Sequence, residues 1–171
     1  NYSAINNYGV SQAKGEYLLF LNNDTEMINK ECIHELLGFC MQEDVGVVGA
    51  RLYFPDNTIQ HAGVVIGLGG IAGHIFLNTP REDVGYFARI ITQQDYSAVT
   101  AACIMVKRKV FEEVHGFDTE LVVAFNDVDL CLRIREKGYL VVYNPYAELY
   151  HYESKSRGSD NTPDKIERFN R

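Results

Sequence analysis

A continuous apolar run at residues 17–21 constrains the fold of this chain more than any other feature. The run begins shortly after Gly15, ends at the polar triplet 22–24, and shows no alternation of apolar and polar side chains. Such a run is typical of a central parallel strand that is covered on both faces. Similar apolar runs recur at residues 45–49, 99–106 and 139–143. The sequence therefore predicts several strands that are buried on both sides.

Helical patterns lie between these runs. Helices are predicted at residues 3–14, 30–42, 108–114 and 127–137, and further strands at 59–66 and 148–152. Asn29 is placed to cap the second helix. Strands that alternate with helices indicate an α/β fold with an open, mostly parallel sheet. Ligands bind beyond the carboxyl ends of the strands in such sheets, so we expect chemistry directly after the apolar runs.

The charge of the chain narrows the classes of ligand. Its 171 residues fit one domain, and 16 Lys and Arg against 23 Asp and Glu give a formal net charge of −7. No block of basic residues is present, which argues against DNA or RNA as a partner. An acidic protein that binds a diphosphate needs a divalent cation or a local basic loop to offset the repulsion.

Two segments depart from the regular pattern. Residues 67–97 are rich in glycine and weakly periodic, so we expect a long, mobile loop that is either functional or disordered. Residues 155–171 form a polar tail for which we expect partial disorder. The chain contains no apolar run of 18 residues, and no membrane-spanning helix is predicted.

Asn22, Asn23 and Asp24 directly follow the first apolar run. Amide and carboxylate oxygens from Asn22 and Asp24, two residues apart at the end of a strand, can converge on one hard cation. Oxygen ligands of this kind suit Mg²⁺ or Mn²⁺, which bind substrate phosphates at the same time. Taken alone, the triplet is more typical of a plain turn than of a metal site.

A second acidic group begins the helix predicted at 127–137. Asp127 and Asp129 cannot face one point, because side chains on a helix meet at spacings of three and four. We expect one of them to serve a site and the other to cap the helix or to pair with Arg133 or Arg135. Acidic residues in a first turn also stabilise the helix dipole without any further function.

The third group is His151 with Lys155 and Arg157, the one local basic patch of an acidic chain. The two cations could neutralise a diphosphate. A histidine among aromatic residues is more often structural than a ligand, and basic residues on a loop are more often solvated, so both interpretations stay open for this group.

Taken together, these groups resemble family 2 glycosyltransferases, which are inverting enzymes of GT-A fold. The resemblance covers the whole chain, and the stretches that carry it are residues 7–9, 13–24, 116–118, 126–133 and His151. Residues 67–74 and 151–158 also look like a bacterial branch that builds surface polysaccharides. The resemblance implies a nucleotide-diphosphate sugar as donor and a saccharide or lipid-linked saccharide as acceptor.

The resemblance also implies roles for individual residues. The triplet at 22–24 matches the D-x-D element of the family, with Asp24 on the metal and with Asn22 and Asn23 near the metal or the donor. Asn126 and Asp127 match a Glu-Asp pair, with Asp127 as general base and Asn126 on the acceptor side. The remaining assignments are a metal role for His151 and donor-binding roles for Asn7, Lys155 and Arg157.

The family's nucleotide-binding first half has no counterpart here. We therefore expect a partial domain, truncated at its N-terminal half, that has little transferase activity by itself and whose exposed sheet edge could be covered by a second copy. The resemblance implies a cytoplasmic location, at or near the inner face of the membrane. For the 67–97 loop we expect an acceptor-side lid that carries His61, His74 and Arg89, with a structural loop equally compatible.

Two other functions are compatible with the residues. A nucleotidyltransferase can combine a similar sheet with metal-binding carboxylates. A non-catalytic carbohydrate-binding domain could use the 11 tyrosines of the chain for stacking on sugars.

Overall fold

The computed structural model describes residues 1–121 and 124–152. Its elements, in chain order, are α1 (Tyr2–Gln12), β1 (Tyr17–Leu21), β2 (Thr25–Met27), α2 (Cys32–Cys40), β3 (Val45–Tyr53), β4 (Ile59–His61), β5 (Val64–Ile66), β6 (Ala72–His74), a 3₁₀ turn (Tyr86–Ala88), β7 (Gln94–Asp95), β8 (Cys103–Lys107), α3 (Arg108–Glu113), α4 (Asn126–Glu136) and β9 (Leu140–His151). The tail predicted at 155–171, with Lys155 and Arg157, lies outside the described residues. Within the described residues, no helix combines the length and the apolar character that crossing a membrane requires.

The central sheet has the strand order β1-β8-β3-β9-β2, with β4 paired to β3 and β7 paired to β9. Only β3 and β9 pair in parallel, whereas the other pairs in the described part of this sheet are antiparallel. The α/β prediction is confirmed, but the prediction of a mostly parallel sheet is wrong for this part of the chain. An apolar run shows that both faces of a strand are covered and carries no information about its direction.

Helices cover both faces of the sheet, as the apolar runs predicted. Side chains of β8 alternate between two cores: Ile104 and Val106 pack on one face, and Cys103 and Met105 on the other. The first face is covered by α3 and α4, and the second by α2. Complete burial of an aliphatic side chain contributes about 1.5–3 kcal/mol. The two cores therefore hold the ends of the strands in place.

Several predicted boundaries shift in the structure. The second helix begins at Cys32 with Glu31 as its N-cap, so the predicted capping role of Asn29 is wrong. The Asn29 side chain instead donates to the Tyr146 carbonyl at 2.8 Å and accepts from the Glu148 amide at 3.0 Å. Because both partners belong to β9, Asn29 connects the segment before α2 to that strand.

The last two predicted strands form one strand, β9, with an irregularity in its middle. Ala50 of β3 pairs with Asn144, but the next residue, Arg51, pairs with Glu148. The intervening residues include Pro145, which has no amide hydrogen to donate to a neighbouring strand. The predicted strand at 59–66 is instead divided into β4 and β5.

The segment at 67–97 contains more regular structure than the sequence predicted. It holds β6, which pairs with β5 in a two-stranded sheet, as well as the 3₁₀ turn and β7. Whether this segment is mobile stays a prediction.

Candidate functional site

The first candidate residues lie where β1 and β9 end. Thr25 closes a turn after β1 by donating from its hydroxyl to the Asn22 carbonyl at 2.8 Å. The chain then pairs with the end of β9 through β2, which aligns Thr25 with His151. The Tyr152 amide donates to the Asp24 carbonyl at 2.8 Å. Backbone pairing thus brings two residues that are far apart in sequence, Asp24 and His151, to one point.

Asn22, Asp24 and His151 form a group that we call the sheet-end cluster. Nε2 of His151 lies 3.2 Å from Oδ1 of Asp24 and 3.3 Å from Nδ2 of Asn22. The side chains of His151 and Asp24 are only 11 % and 21 % exposed, so solvent screens their interaction weakly. The resemblance assigned both Asp24 and His151 to the metal, and the structure brings these two side chains together, while Asn23 is exposed in the same turn.

The donor set of this cluster fits a divalent cation. Adjacent ligands of an octahedral Mg²⁺ lie about 3 Å apart, and the 3.2 Å between Asp24 Oδ1 and His151 Nε2 is close to that spacing. Asn22 turns its amide nitrogen toward His151, so its oxygen would reach a cation only after the side chain rotates. No three His, Cys, Asp or Glu side chains in the described residues form a complete metal site. A cation here would therefore need ligands from a bound phosphate or from water as well.

Gln60 in β4 holds the far side of the His151 ring, and sequence reasoning missed it. Oε1 of Gln60 lies 2.8 Å from Nδ1 of His151, and Nε2 of Gln60 donates to the His151 carbonyl at 3.3 Å. Gln60 is buried, with 5 % exposure. The signal that could have indicated it is a polar residue inside an apolar strand pattern.

Asp127 lies at the start of α4 and contacts the segment that supports β1. Its Oδ2 accepts from the Ala101 amide at 3.1 Å, and its Oδ1 accepts from the Val128 amide at 2.9 Å. The carbonyl of the next residue, Ala102, accepts from the Asn22 amide at 2.9 Å. Two consecutive residues thus connect Asp127 to the turn that carries the sheet-end cluster.

The two acids of α4 have separate partners. Asp129 accepts from Nε of Arg133 at 2.9 Å within the same helix, which confirms the expectation that one acid has a structural role. The other acid, Asp127, is left facing Ala101. Asn126 accepts from the Asp127 amide at 3.1 Å, and its predicted contact with an acceptor stays a prediction.

Tyr2 is a neighbour of Asp127 that the sequence did not indicate. Its hydroxyl donates to the Ala101 carbonyl at 3.1 Å, so Tyr2 and Asp127 hold opposite sides of one residue. Burial, together with the negative charge of Asp127, raises the pKa of Tyr2 well above its usual value. Tyr2 therefore remains a neutral hydrogen-bond donor at physiological pH.

A cavity of about 270 Å³ lies next to the sheet-end cluster. Its lining residues combine apolar and polar side chains: Phe54, Gln60, His74, Leu77, Thr100 and His151. His151 belongs to the sheet-end cluster, whereas His74 and Leu77 come from the 67–97 segment. The cavity therefore lies between these two parts of the molecule.

His61 and His74 form a pair at the wall of this cavity, with 2.9 Å between their Nδ1 atoms. His61 is completely buried, and this burial, reinforced by the neighbouring His74, lowers its pKa well below the usual 6.5. The Thr100 amide donates to Nε2 of His61 at 3.4 Å. The proton of neutral His61 therefore lies on Nδ1 and is donated to His74.

The other predicted site residues lie elsewhere. Arg89 is not among the residues that line the cavity, and its guanidinium lies 5.2 Å from the centre of the Tyr96 ring. Asn7 donates to the Phe117 carbonyl at 2.8 Å and accepts from the Phe117 amide at 3.0 Å, which fastens α1 to that turn. These contacts are structural, and ligand binding by Asn7 or Arg89 stays a prediction.

Comparison with known proteins identifies the family of the chain. The model of a family described as "Glycosyltransferase like family 2" matches residues 1–165. The protein y4gI of Sinorhizobium fredii (strain NBRC 101917 / NGR234) is 53 % identical over 172 aligned residues, which cover 100 % of this chain and 19 % of that protein. The O-antigen biosynthesis protein RfbC of Myxococcus xanthus is 42 % identical over 96 % of this chain and 13 % of its own length. The chain thus spans less than a fifth of these relatives.

Two solved structures share the fold at 14 % sequence identity. The mannosyltransferase PcManGT from Pyrobaculum calidifontis, in complex with GDP-Man and Mn²⁺, matches with a TM-score of 0.59 over 91 % of this chain and 37 % of its own. GalNAc-T7 with UDP, GalNAc and Mn²⁺ matches with a TM-score of 0.70 over 95 % of this chain and 33 % of its own. These matches confirm the GT-A fold. Because the family model extends over nearly the entire sequence, the chain belongs to the glycosyltransferase-like family 2.

Proposed function

We propose that this chain is the metal- and acceptor-binding part of an inverting glycosyltransferase that moves a sugar from a nucleotide-diphosphate donor to an acceptor hydroxyl. One observation carries the proposal. The Asp24 carboxylate lies 3.2 Å from the His151 imidazole. The consecutive residues Ala101 and Ala102 connect this pair to a second carboxylate, that of Asp127. Asp24 and His151 are suited to bind a cation, and Asp127 is suited to act as a general base.

Asp24 and His151 would hold Mg²⁺ or Mn²⁺, with Asn22 as a further ligand after rotation of its amide. When bound, the cation supplies Lewis-acid stabilisation of the charge that develops on a leaving diphosphate. The presence of Mn²⁺ in both solved structures of similar fold supports this assignment. Lys155 and Arg157, from the one basic patch of the sequence, would add positive charge beside the same diphosphate.

Asp127 would act as the general base. Hydrogen bonds from the Ala101 and Val128 amides fix its carboxylate, and each oxygen keeps a lone pair for an incoming proton. The acceptor oxygen forms its bond to the anomeric carbon while the bond to the diphosphate breaks, and its proton passes to Asp127. A positioned base contributes about 10²–10⁴-fold to the rate. A single displacement of this kind inverts the anomeric centre without an enzyme nucleophile.

The cavity beside His151 suits a single sugar residue. Its volume of about 270 Å³ is small, since pockets for drug-sized ligands begin at about 300 Å³. Phe54 and Leu77 offer apolar contacts, while His74 and Thr100 offer polar ones. Asn126 and Arg89 would contact more distant parts of the acceptor.

The names of relatives suggest the class of product. RfbC is named for O-antigen biosynthesis. A Mycobacterium tuberculosis protein named N-acetylglucosaminyl-diphospho-decaprenol L-rhamnosyltransferase is 39 % identical over 62 residues, 36 % of this chain and 20 % of its own length. We propose a bacterial surface polysaccharide as the product, with a saccharide or lipid-linked saccharide as acceptor at the cytoplasmic face of the membrane. The remaining length of such relatives would supply the nucleotide-binding half, so we expect little turnover from this chain alone.

The free side of β1 could accept a further strand, because β1 is an edge strand of the described sheet. Strands of a longer chain or a second copy of this chain would both fit there. Sedimentation of the chain distinguishes the two, since only pairing with a second copy produces a dimer.

Asp127→Asn in the complete enzyme tests the catalytic assignment. With a panel of nucleotide-diphosphate sugars and Mn²⁺, we expect turnover to fall about 10²–10⁴-fold while donor affinity stays unchanged. Asp129→Asn is the matched control on the same helix turn, because Asp129 pairs with Arg133, and its turnover should stay close to normal. Equal losses in the two variants, or normal turnover in Asp127→Asn, would exclude Asp127 as the base.

A further inference from the structure

Gln60 places both ends of its buried amide on one residue, His151. A buried amide is costly unless its donor and its acceptor are both satisfied. Oε1 of Gln60 lies 2.8 Å from Nδ1 of His151, and Nε2 donates to the His151 carbonyl at 3.3 Å. Gln60 belongs to β4 and His151 to the end of β9, so these contacts join two strands at the sheet-end cluster.

These two contacts determine which nitrogen of His151 carries the proton. In the reversed orientation of the amide, Oε1 of Gln60 would face the His151 carbonyl oxygen, and two acceptors would oppose each other. The observed orientation leaves Oε1 as an acceptor opposite Nδ1. Nδ1 must therefore carry a proton, and in the neutral ring Nε2 keeps the lone pair.

One contact of Nε2 agrees with this assignment, and the other becomes favourable only when a cation is bound. Nδ2 of Asn22 lies 3.3 Å from Nε2 and can only donate to it. Oδ1 of Asp24 lies 3.2 Å from the same nitrogen and, when ionised, also presents lone pairs. A cation bound by both atoms turns this unfavourable opposition into coordination. A proton on Nε2 would instead be donated to Asp24 and would block the cation.

We infer that Gln60 is a positioning residue that keeps the proton of His151 on Nδ1, so that Nε2 remains available to a divalent cation beside Asp24. The inference rests on the metal site of the proposed function and adds the residue that keeps this site open. Hydrogen bonds of this kind behind a metal ligand fix its tautomer and orientation.

Histidine NMR in the metal-free chain tests the inference without any need for activity. Long-range ¹H–¹⁵N correlations at mildly alkaline pH report which ring nitrogen carries the proton. In the unaltered chain we expect His151 protonated on Nδ1. Gln60→Leu removes the acceptor, and Gln60→Met leaves only a weak thioether acceptor, so the proton should move to Nε2 and be donated to Asp24. Gln60→Glu keeps an acceptor opposite Nδ1 and should preserve the tautomer.

Mn²⁺ titration followed by electron paramagnetic resonance supplies the second readout. Loss of a hydrogen bond behind a metal ligand weakens binding by about 10–100-fold, so we expect that loss in Gln60→Leu and Gln60→Met but not in Gln60→Glu. Gln42→Leu, at an exposed position after α2, is the matched control and should bind Mn²⁺ normally. Because two variants weaken or remove the acceptor, the test remains decisive if one of them fails to fold. Circular dichroism shows whether each variant is folded.

The two readouts separate failure of the inference from failure of the proposed function. If the unaltered chain binds Mn²⁺ and folded Gln60→Leu binds it equally well with the same tautomer, the positioning role of Gln60 is overturned. If the unaltered chain binds no Mn²⁺, the metal-assisted function fails, and the tautomer measurement still decides whether Gln60 controls the His151 proton.

Discussion

The sheet-end cluster and the 67–97 segment face the same cavity but are built differently. In the cluster, His151 contacts Asp24 on one side of its ring and the neighbouring Gln60 on the other, and strand pairing holds His151 in place. The segment instead exposes large apolar side chains, including Tyr86 at 73 % and Phe87 at 81 %. Among residues 1–121 and 124–152, seven non-glycine residues have positive φ, and four of them lie in this segment: Phe76, Asn78, Phe87 and Ala88.

Under the proposed function, this difference corresponds to two separate roles around one pocket. A cation site tolerates little movement, because its ligands must stay near fixed distances from the metal. An acceptor surface gains from exposed apolar groups that are buried only when the ligand arrives. Under the proposed function, the sheet end holds the donor and its cation, and the 67–97 segment contacts the acceptor.

Removal of a metal ligand should have the largest effect. A cation that binds only the folded chain raises the free energy of unfolding by about 2.7 kcal/mol at a hundredfold excess over its dissociation constant. We expect Mn²⁺ to stabilise the unaltered chain in this way and to have no effect on Asp24→Ala. Thermal unfolding with and without Mn²⁺ measures both. Asp44→Ala, at an exposed position, should keep the full response, and an equal response in Asp24→Ala would remove Asp24 from the metal site.

Asn7→Ala should lower the free energy of unfolding by about 1–3 kcal/mol, because it leaves the amide and the carbonyl of Phe117 without their partner. Urea denaturation measures the change. Asn6→Ala, which removes one bond within α1, is the control and should cost less. A stable Asn7→Ala variant of the complete enzyme that binds donor more weakly would instead support a donor-binding role for Asn7.

The buried histidine between the two regions should make stability depend on pH. Burial lowers the pKa of His61 in the folded chain, so below the unfolded value of about 6.5 the unfolded chain binds more protons. Above the unfolded value, His61 is neutral in both states and does not make the free energy of unfolding depend on pH. Below it, the free energy of unfolding falls as the pH drops, by at most about 1.4 kcal/mol per pH unit. Urea denaturation between about pH 7 and 5.5 should show a smaller loss in His61→Gln. Identical pH profiles for the two proteins would show that His61 is protonated in the folded chain.

Replacing the exposed aromatic residues should change stability least. The double variant Tyr86→Ser and Phe87→Ser should unfold within about 0.5 kcal/mol of the unaltered chain, since both side chains are mostly in water. If the segment contacts the acceptor, the same variant of the complete enzyme should show a higher KM for acceptor and an unchanged affinity for donor. An unchanged KM would show that Tyr86 and Phe87 do not contact the acceptor.

The sequence predicted where the strands end better than it predicted the side-chain contacts at those ends. The apolar runs located β1 and β8, and the family resemblance implied that Asp24 and His151 share a metal site. Strand direction was not predictable, because burial on both faces produces the same apolar run in either direction. Gln60 and Tyr2 were missed because each acts through a backbone or ring contact with a distant residue, and no local spacing indicates such a partner.

Anomalous diffraction from crystals grown with Mn²⁺ and a nucleoside diphosphate tests the central claim most directly. We expect one Mn²⁺ peak about 2.0–2.3 Å from Oδ1 of Asp24 and from Nε2 of His151. A peak bound by other side chains, with Asp24 and His151 still in direct contact and no metal between them, would contradict the account.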